Sequence, residues 1–509
     1  MVESDSKYPD NRWVVLGVMS LSLVIVMLNN VTLNVALPDL STDLGADNSE
    51  LQWIMDAYAL VFGGTLLVMG ALGDRFGRKG ALQIGLITVG AASAWTAFFA
   101  DSSTDVILAR ATMGLGAALV MPSTLSVVLV VFPPEERGKA IGIWAAMAGV
   151  GAPIGLLVGG WAVETYDWEM VFLINVPIIL IALIAGAVIV PRSKDDEERP
   201  LDMVGAVLSV VALGCLLYAI IEGPSLGWTD SEVLGTFTLS IVAGFLFVGW
   251  QKKVEFPLLP LEFFKNHRFT IGLIAIAMAF FVMFSFMFMQ MLHFQLVRGH
   301  SPFSAAIRFF PLPMGLMPAA ANSDRLVAKF GRANVISMGL CLVATGLFLF
   351  TQVNIDTSYP QIAATFALLG LGMGLTMAPS TTAVMDAIPE SKAGVGSATN
   401  DASREVGGAL GIAIGGSVLN EVYQSTITVP ASATAQTEII QQSFPAAMTI
   451  GQRMQELGNP DGALLIASAR ESFIEGMVAA CVVAGIVALL AAIIVKWKMP
   501  NDNISLAEE

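Results

Sequence analysis

The sequence predicts an all-α integral membrane protein of fourteen transmembrane helices, arranged as two six-helix bundles plus two inserted helices, with the N- and C-termini cytoplasmic. Three observations carry this reading. Of 509 residues, 55% are hydrophobic and only 13% are charged, about half the charged share of an ordinary soluble domain. Apolar runs of about 20 residues, the length that crosses a bilayer, recur fourteen times along the chain. Twenty of the 26 Lys and Arg fall in the tails and in alternate connecting segments, the side that positive charge marks as cytoplasmic. So much apolar surface cannot be buried in one soluble core. A soluble enzyme and a disordered chain are thereby excluded. The net charge of −15 also speaks against a phosphate-backbone partner, so no nucleic acid is expected to bind.

The runs start near Trp13, Leu51, Ala81, Asp105, Lys139, Val171, Met203, Val233, Phe269, Phe303, Ala333, Gln361, Gly396 and Phe473. Lipid offers the backbone no hydrogen-bond partner, so each run is read as a helix. The ten-residue alternation of barrel strands is not visible. Connections on the outer side are short and acidic, as in Asp39–Glu50 and Ala100–Asp105. The polar start, Met1–Asn11, lacks the pattern of a removable signal peptide. The expected organisation is a cytoplasmic tail over 1–12, a first bundle over 13–190 and a linker with two inserted helices over 191–268. A second bundle then runs over 269–496 and a cytoplasmic tail over 497–509. One outer connection is long, about 424–470, and rich in Ser, Thr, Ala and Gln. Its stretch Thr434–Gln442 is amphipathic in pattern, and the connection is either a cap over an exit pathway or a mobile surface loop.

An internal repeat supports two halves. The second connection reads Gly70-Ala-Leu-Gly-Asp-Arg-Phe-Gly-Arg-Lys79, and the tenth reads Asp324-Arg-Leu-Val-Ala-Lys-Phe-Gly-Arg332. Both place an acid ahead of Phe-Gly-Arg. They lie eight spans apart where two six-helix units would place them six apart, so the seventh and eighth spans are the insertion. Paired halves mark transporter folds. Asp74 can pair across the bundle, while Arg75, Arg78 and Lys79 hold the cytoplasmic face. Gly70, Gly73 and Gly77 permit tight turning. Such a cluster between helix ends can latch one conformation and open in another.

The segment Gly70–Lys79 resembles the loop 2–3 signature of the major facilitator superfamily. Gly151-Ala-Pro-Ile-Gly155-Leu-Leu-Val-Gly159-Gly160 in the fifth span resembles the antiporter signature of its drug exporters, with Pro153 one turn ahead of the family's proline position at Leu156. Small residues every four positions, Gly151, Gly155 and Gly159, allow close helix packing and a rocking interface. Leu108-Ala-Arg110-Ala-Thr-Met-Gly114-Leu-Gly116 is similar to the family's helix-4 arginine motif. With Leu51-Gln-Trp-Ile-Met-Asp-Ala-Tyr58, Val120-Met-Pro-Ser-Thr124 and fourteen spans, the resemblance narrows to the fourteen-helix drug:proton antiporters of QacA type.

Charges inside the membrane are the independent functional signal, because an ion at the bilayer centre costs about 2.5–3.5 kcal/mol on insertion scales. They are Asp56 in the second span, Arg110 in the fourth, and Asp401, Arg404 and Glu405 in the thirteenth. Asp56 lies one turn from Trp53, so an acid and a ring share a face. That pair suits a lipophilic cation, through charge and cation–π contact. Desolvation also favours a carboxyl's neutral form, so Asp56 can carry a proton and let cation and proton compete. A structural hydrogen bond is the alternative role. Asp401 and Glu405 share a face with Arg404 between them, either as a neutralised structural network or as a protonation site; the resemblance implies that acids here contribute to coupling. Arg110 either tunes a nearby acid or packs. Where the resembling family carries an aspartate, this chain has Asn29, nearly isosteric with a protonated acid but unable to titrate. Phe309–Ala321 likewise holds no acid, which points to one or two coupled protons rather than three.

Tyr58, Met283, Met287 and Gln290 are further candidate lining residues of an adaptable pocket, although most of the ninth-span residues are expected to face lipid or neighbouring helices. No phosphate loop occurs, so ATP-driven transport is excluded. His267, His293 and His300 show no metal spacing, and Cys215, Cys341 and Cys481 lie in apolar runs as packing residues. No cofactor or metal is expected. The leading reading is a monomeric plasma-membrane exporter, not an enzyme, that swaps small hydrophobic or cationic compounds for protons within the lipid bilayer. An exporter of an endogenous lipid or siderophore-like compound, and a non-transporting membrane scaffold or receptor of transporter fold, are the alternatives.

Overall fold

The computed structural model describes residues 8–46, 48–194, 200–355 and 357–500. All regular structure among them is helical. The fourteen long helices are α1 (Arg12–Val31), α2 (Asn48–Phe76), α3 (Arg78–Phe99), α4 (Ser103–Val131), α5 (Pro134–Thr165), α6 (Asn175–Ile189), α7 (Met203–Leu226), α8 (Ser231–Gln251), α9 (His267–Leu292), α10 (Pro311–Phe330), α11 (Arg332–Phe350), α12 (Tyr359–Asp386), α13 (Ala393–Thr426) and α14 (Asp461–Lys498). Among the described residues, thirteen segments are apolar and long enough to cross a membrane. The fourteenth is α10, 20 residues long, whose Asp324, Arg325 and Lys329 lower its mean hydropathy near the cytoplasmic end.

Two expected boundaries are corrected. The tenth span does not begin near Phe303: Pro302–Ile307 is a separate short helix, and α10 starts at Pro311, where a proline has no N–H to forfeit in the first turn. The last span begins at Asp461 rather than near Phe473, because its polar first turns extend beyond the apolar stretch. The long outer connection therefore shortens to 427–460, and it holds three short helical segments, Ala431–Gln436, Thr437–Gln442 and Phe444–Glu456. Thr437–Gln442 is a short helix that buries Ile440 and exposes Ile439, and the longer helix Phe444–Glu456 buries Phe444, Ala447 and Met448. Phe444 stacks on Phe473 of α14 at 4.4 Å, and the Tyr423 hydroxyl of α13 donates to the Ile440 carbonyl at 3.1 Å.

Helices α1–α6 pack into one bundle and α9–α14 into the other, with α13 lying against α2 and α4, and α5 against α10 and α12. The inserted helices form a hairpin in which α7 covers the seam between α2 and α13. Gly64 and Gly214 make that crossing close, since a Cβ on Gly64 would stand 3.4 Å from the Gly214 backbone. Helix α8 packs on α7 and turns Leu239, Val242, Phe245 and Leu246 outward, where lipid solvates them. Asp202 anchors the cytoplasmic end of the hairpin: it caps α7 through the Gly205 amide at 2.7 Å and accepts Trp250 Nε1 at 2.7 Å and Gln251 Nε2 at 2.6 Å.

The glycine-rich α5 has two working faces. Gly151, Gly155 and Gly159 sit directly on Met27, Val31 and Thr32 at the end of α1, inside the first bundle. The side chain of Pro153 lies outside the described residues. Gly142, Gly149 and Gly160 instead face Ala320, Leu316 and Phe303 of the second half. The spacing in the sequence thus marked intra-bundle packing, and the surface that meets the other half is built from different glycines. A Cβ at Gly155 would stand 2.5 Å from Val31 Cγ2. Gly155→Val is expected to lower the thermal unfolding midpoint in detergent, overpacking of this kind costing about 1–3 kcal/mol; an unchanged midpoint would show that this crossing has slack.

Candidate functional site

At the cytoplasmic end the repeated motif makes the same turn twice. Gly77 and Gly331 take φ of +112° and +83°, a region that favours glycine, and each precedes the helix opened by its arginine. Asp74 is almost fully buried. Its Oδ1 accepts Arg78 Nη2 at 2.8 Å and the Gly394 amide at 2.9 Å, and its Oδ2 accepts the Val395 amide at 3.1 Å. These are unpaired first-turn amides of α13, where a carboxylate also meets the positive end of the helix dipole. Arg78 donates to the Glu390 carbonyl at 2.6 Å, and Arg137 pairs with the Glu390 carboxylate. Gly70 lies against Gly394, where a side chain would collide. Across the pseudo-symmetry, the Asp324 carboxylate sits against Gly138 and the Lys139 amide of α5, and Arg332 pairs with Asp386 at 2.9 Å. Arg75 stands apart, half-exposed over its neighbour Phe76 at 5.2 Å.

A second cluster lies toward the outer end of α2. Asp56 faces α7 rather than lipid: it hydrogen-bonds Gln52 and lies within electrostatic reach of Glu222 and Arg110. Gln52 Nε2 also donates to Glu222 at 3.3 Å, so one amide bridges two carboxyls on two helices. Trp53 packs on Tyr218 of α7, with ring centroids 6.0 Å apart. Arg110, only 1% exposed, donates to the Ile54 carbonyl at 3.1 Å and to the Asn29 carbonyl at 2.7 Å. Its guanidinium stacks 4.4 Å from the Tyr58 ring centroid, and its Nη2 has no hydrogen-bond partner. Tyr58 is fully buried and donates to the Val26 carbonyl at 3.1 Å. Asn29 donates to the Ile25 carbonyl at 2.9 Å and accepts from Asn175 at 3.4 Å.

The third cluster is on α13. Asp401 is fully buried and accepts Asn400 Nδ2 at 3.1 Å, with Arg404 Nη1 and Ser397 Oγ each at 3.5 Å. Arg404 lies between Trp144 of α5, 4.9 Å from the ring centroid, and Phe280 of α9 at 4.6 Å. Glu405 sits beside Gly63 of α2 and within electrostatic reach of Tyr58, Asp401 and Arg404. It thereby stands between the second and third clusters.

The ninth-span candidates are not gathered around these charges. Met283 is buried among the core, Met287 is partly buried against it, and Gln290 is directed to Met477 Sδ of α14 at 3.4 Å and to His293 at 3.2 Å. Sequence reasoning missed Glu222, although the count of charges within apolar runs that found Asp56 also finds it. It missed Trp144 and Phe280 because nothing in their spacing distinguishes them from core residues. Among the described residues no His, Cys, Asp and Glu group has the arrangement of a metal site.

Comparison with known proteins agrees with this architecture. Residues 19–412 match the family described as the Major Facilitator Superfamily. The chain is 32% identical to the multidrug efflux pump LfrA of Mycolicibacterium smegmatis, covering 97% of each chain. It is 32% identical to the methyl viologen resistance protein SmvA of Salmonella typhimurium, covering 95% of this chain and 97% of that one. It is 30% identical to the multidrug resistance protein Stp of Mycobacterium tuberculosis, covering 95% and 91%. Among solved structures, the proton:xylose symporter XylE superposes with a TM-score of 0.61 at 13% identity over 96% of each chain, a likeness of fold. By sequence and by architecture, this multi-pass membrane protein belongs to the Major Facilitator Superfamily.

Proposed function

We propose that the chain is a proton-coupled exporter of small hydrophobic or cationic compounds, working as a monomer by alternating access between its two bundles. The observation that carries this is the placement of Asp56: an intramembrane carboxyl turned to the α2–α7 interface, bridged by Gln52 to Glu222 and within reach of Arg110. A carboxyl so placed holds either a proton or a cation, and loading one releases the other. The clusters on α2 and α13 are joined by Glu405, which supports a relay from one half to the other. The resistance and efflux functions named for the relatives support the outward direction.

Purified protein in liposomes tests this directly. An imposed pH gradient should drive tetraphenylphosphonium or ethidium transport, and no gradient-dependent flux would refute the proposal. A one-for-one exchange of a monovalent cation for a proton moves no net charge. It feels the pH gradient, about 1.4 kcal/mol per unit, and not the membrane potential of about 2.3 kcal/mol per charge per 100 mV. Glu222→Gln should leave monovalent cations transported while weakening dicationic substrates by about tenfold, because it removes the second carboxyl at a cost of about 1.4 kcal/mol. Equal loss for both classes would place Glu222 in the proton step instead.

A further inference from the structure

The clamp around Arg404 has an unusual balance of interactions. Its guanidinium is 1% exposed, yet Nε and Nη2 have no hydrogen-bond partner and Nη1 reaches Asp401 only at 3.5 Å. A guanidinium carries five N–H donors, and leaving buried donors unmet is costly. Besides the Asp401 carboxylate, it lies against two ring faces, Trp144 at 4.9 Å and Phe280 at 4.6 Å. The Trp144 ring is fixed in turn by its Nε1 donating to Thr124 Oγ1 at 3.1 Å. One ring belongs to the first bundle and the other to the second, so the clamp spans the interface that alternating access must open.

We propose that Arg404 is a resident cation in a seat that cargo takes: the Trp144–Phe280 clamp binds a quaternary ammonium or phosphonium cation, which displaces the guanidinium. Such a cation has no N–H to leave unmet, so it keeps the attraction to both ring faces without the donor penalty borne by Arg404. In the clamp the guanidinium is within electrostatic reach of Asp401 and Glu405 on its own helix. This rests on the cation-exporter reading above and adds a cation seat at the interface of the two bundles, separate from the Asp56 carboxyl.

The test is a double-mutant cycle on the full chain in nanodiscs, reading equilibrium binding of tetraphenylphosphonium without any gradient. Arg404→Met should bind about tenfold tighter and Trp144→Leu about tenfold weaker than the parent, each corresponding to about 1.4 kcal/mol. In the Trp144→Leu background, Arg404→Met should bring no gain. A gain that persists there would mean simple relief of charge repulsion and would overturn the clamp, as would unchanged or weaker binding by Arg404→Met. Quenching by an N-methylpyridinium cation, compared between the parent and Trp144→Phe, gives a second reading that leaves Arg404 in place. The Trp144 contribution should be quenched, and an unquenched Trp144 refutes the seat. If the parent binds no cation at all, the exporter reading fails with it; if the parent binds and the cycle shows no coupling, only the clamp fails.

Discussion

Asp56→Asn is expected to abolish pH-driven efflux of tetraphenylphosphonium from proteoliposomes, a loss of about a hundredfold or more, while the protein still folds and inserts. Asparagine matches the shape of the protonated acid and still bonds to Gln52, so the α2–α7 packing survives. It can neither release a proton nor balance a cation. A hundredfold corresponds to about 2.7 kcal/mol, within the range measured for truncating one partner of a buried charge pair. Efflux retained within about threefold would move the coupling step to α13. Asn29, whose amide already bonds to Ile25 and Asn175, displays the expected state of such a variant: a polar group held without titration.

Asp74→Ala should have the second large effect, on conformation rather than binding. Asp74 joins Arg78 of the first bundle to the opening amides of α13 in the second. Removing it strands Arg78, which is 2% exposed, and leaves two helix amides without acceptors. Breaking a buried pair from one side costs about 3–5 kcal/mol, enough to move a two-state equilibrium by a hundredfold or more. Spin labels on the cytoplasmic ends of α2 and α13 should report a shift toward the separated population. Asp324→Ala should act in the same direction by the same geometry, on α5. An unchanged distance distribution in both variants would show that the two acids only assist folding.

Much of the fold was legible because it follows from rules that act locally. Lipid forces every apolar run into a helix, and basic residues mark its cytoplasmic ends. The repeat of an acid ahead of Phe-Gly-Arg foretold two equivalent turns, and the structure makes both with a glycine of positive φ. Start points were harder where polarity and span length part company: α14 begins in polar turns that carry Asp461 and Arg470, and Pro311 resets the start of α10. The placement of charges was less accessible. That Asp56 meets an inserted helix, or that Arg404 lies between rings of opposite halves, depends on how α7 and α5 dock. No spacing within a single helix encodes that. The glycines of α5 show the same limit, since a run of small residues announces close packing but not which neighbour is close.

Proton release on binding is the sharpest measurement of whether intramembrane carboxyls trade protons for cargo. Purified protein in weakly buffered solution, titrated with tetraphenylphosphonium, should release close to one proton per cation bound. Asp56→Asn should bind more weakly and release fewer. Cation binding by the parent with no proton released, at any pH where the protein is folded, would contradict the exchange on which the mechanism rests.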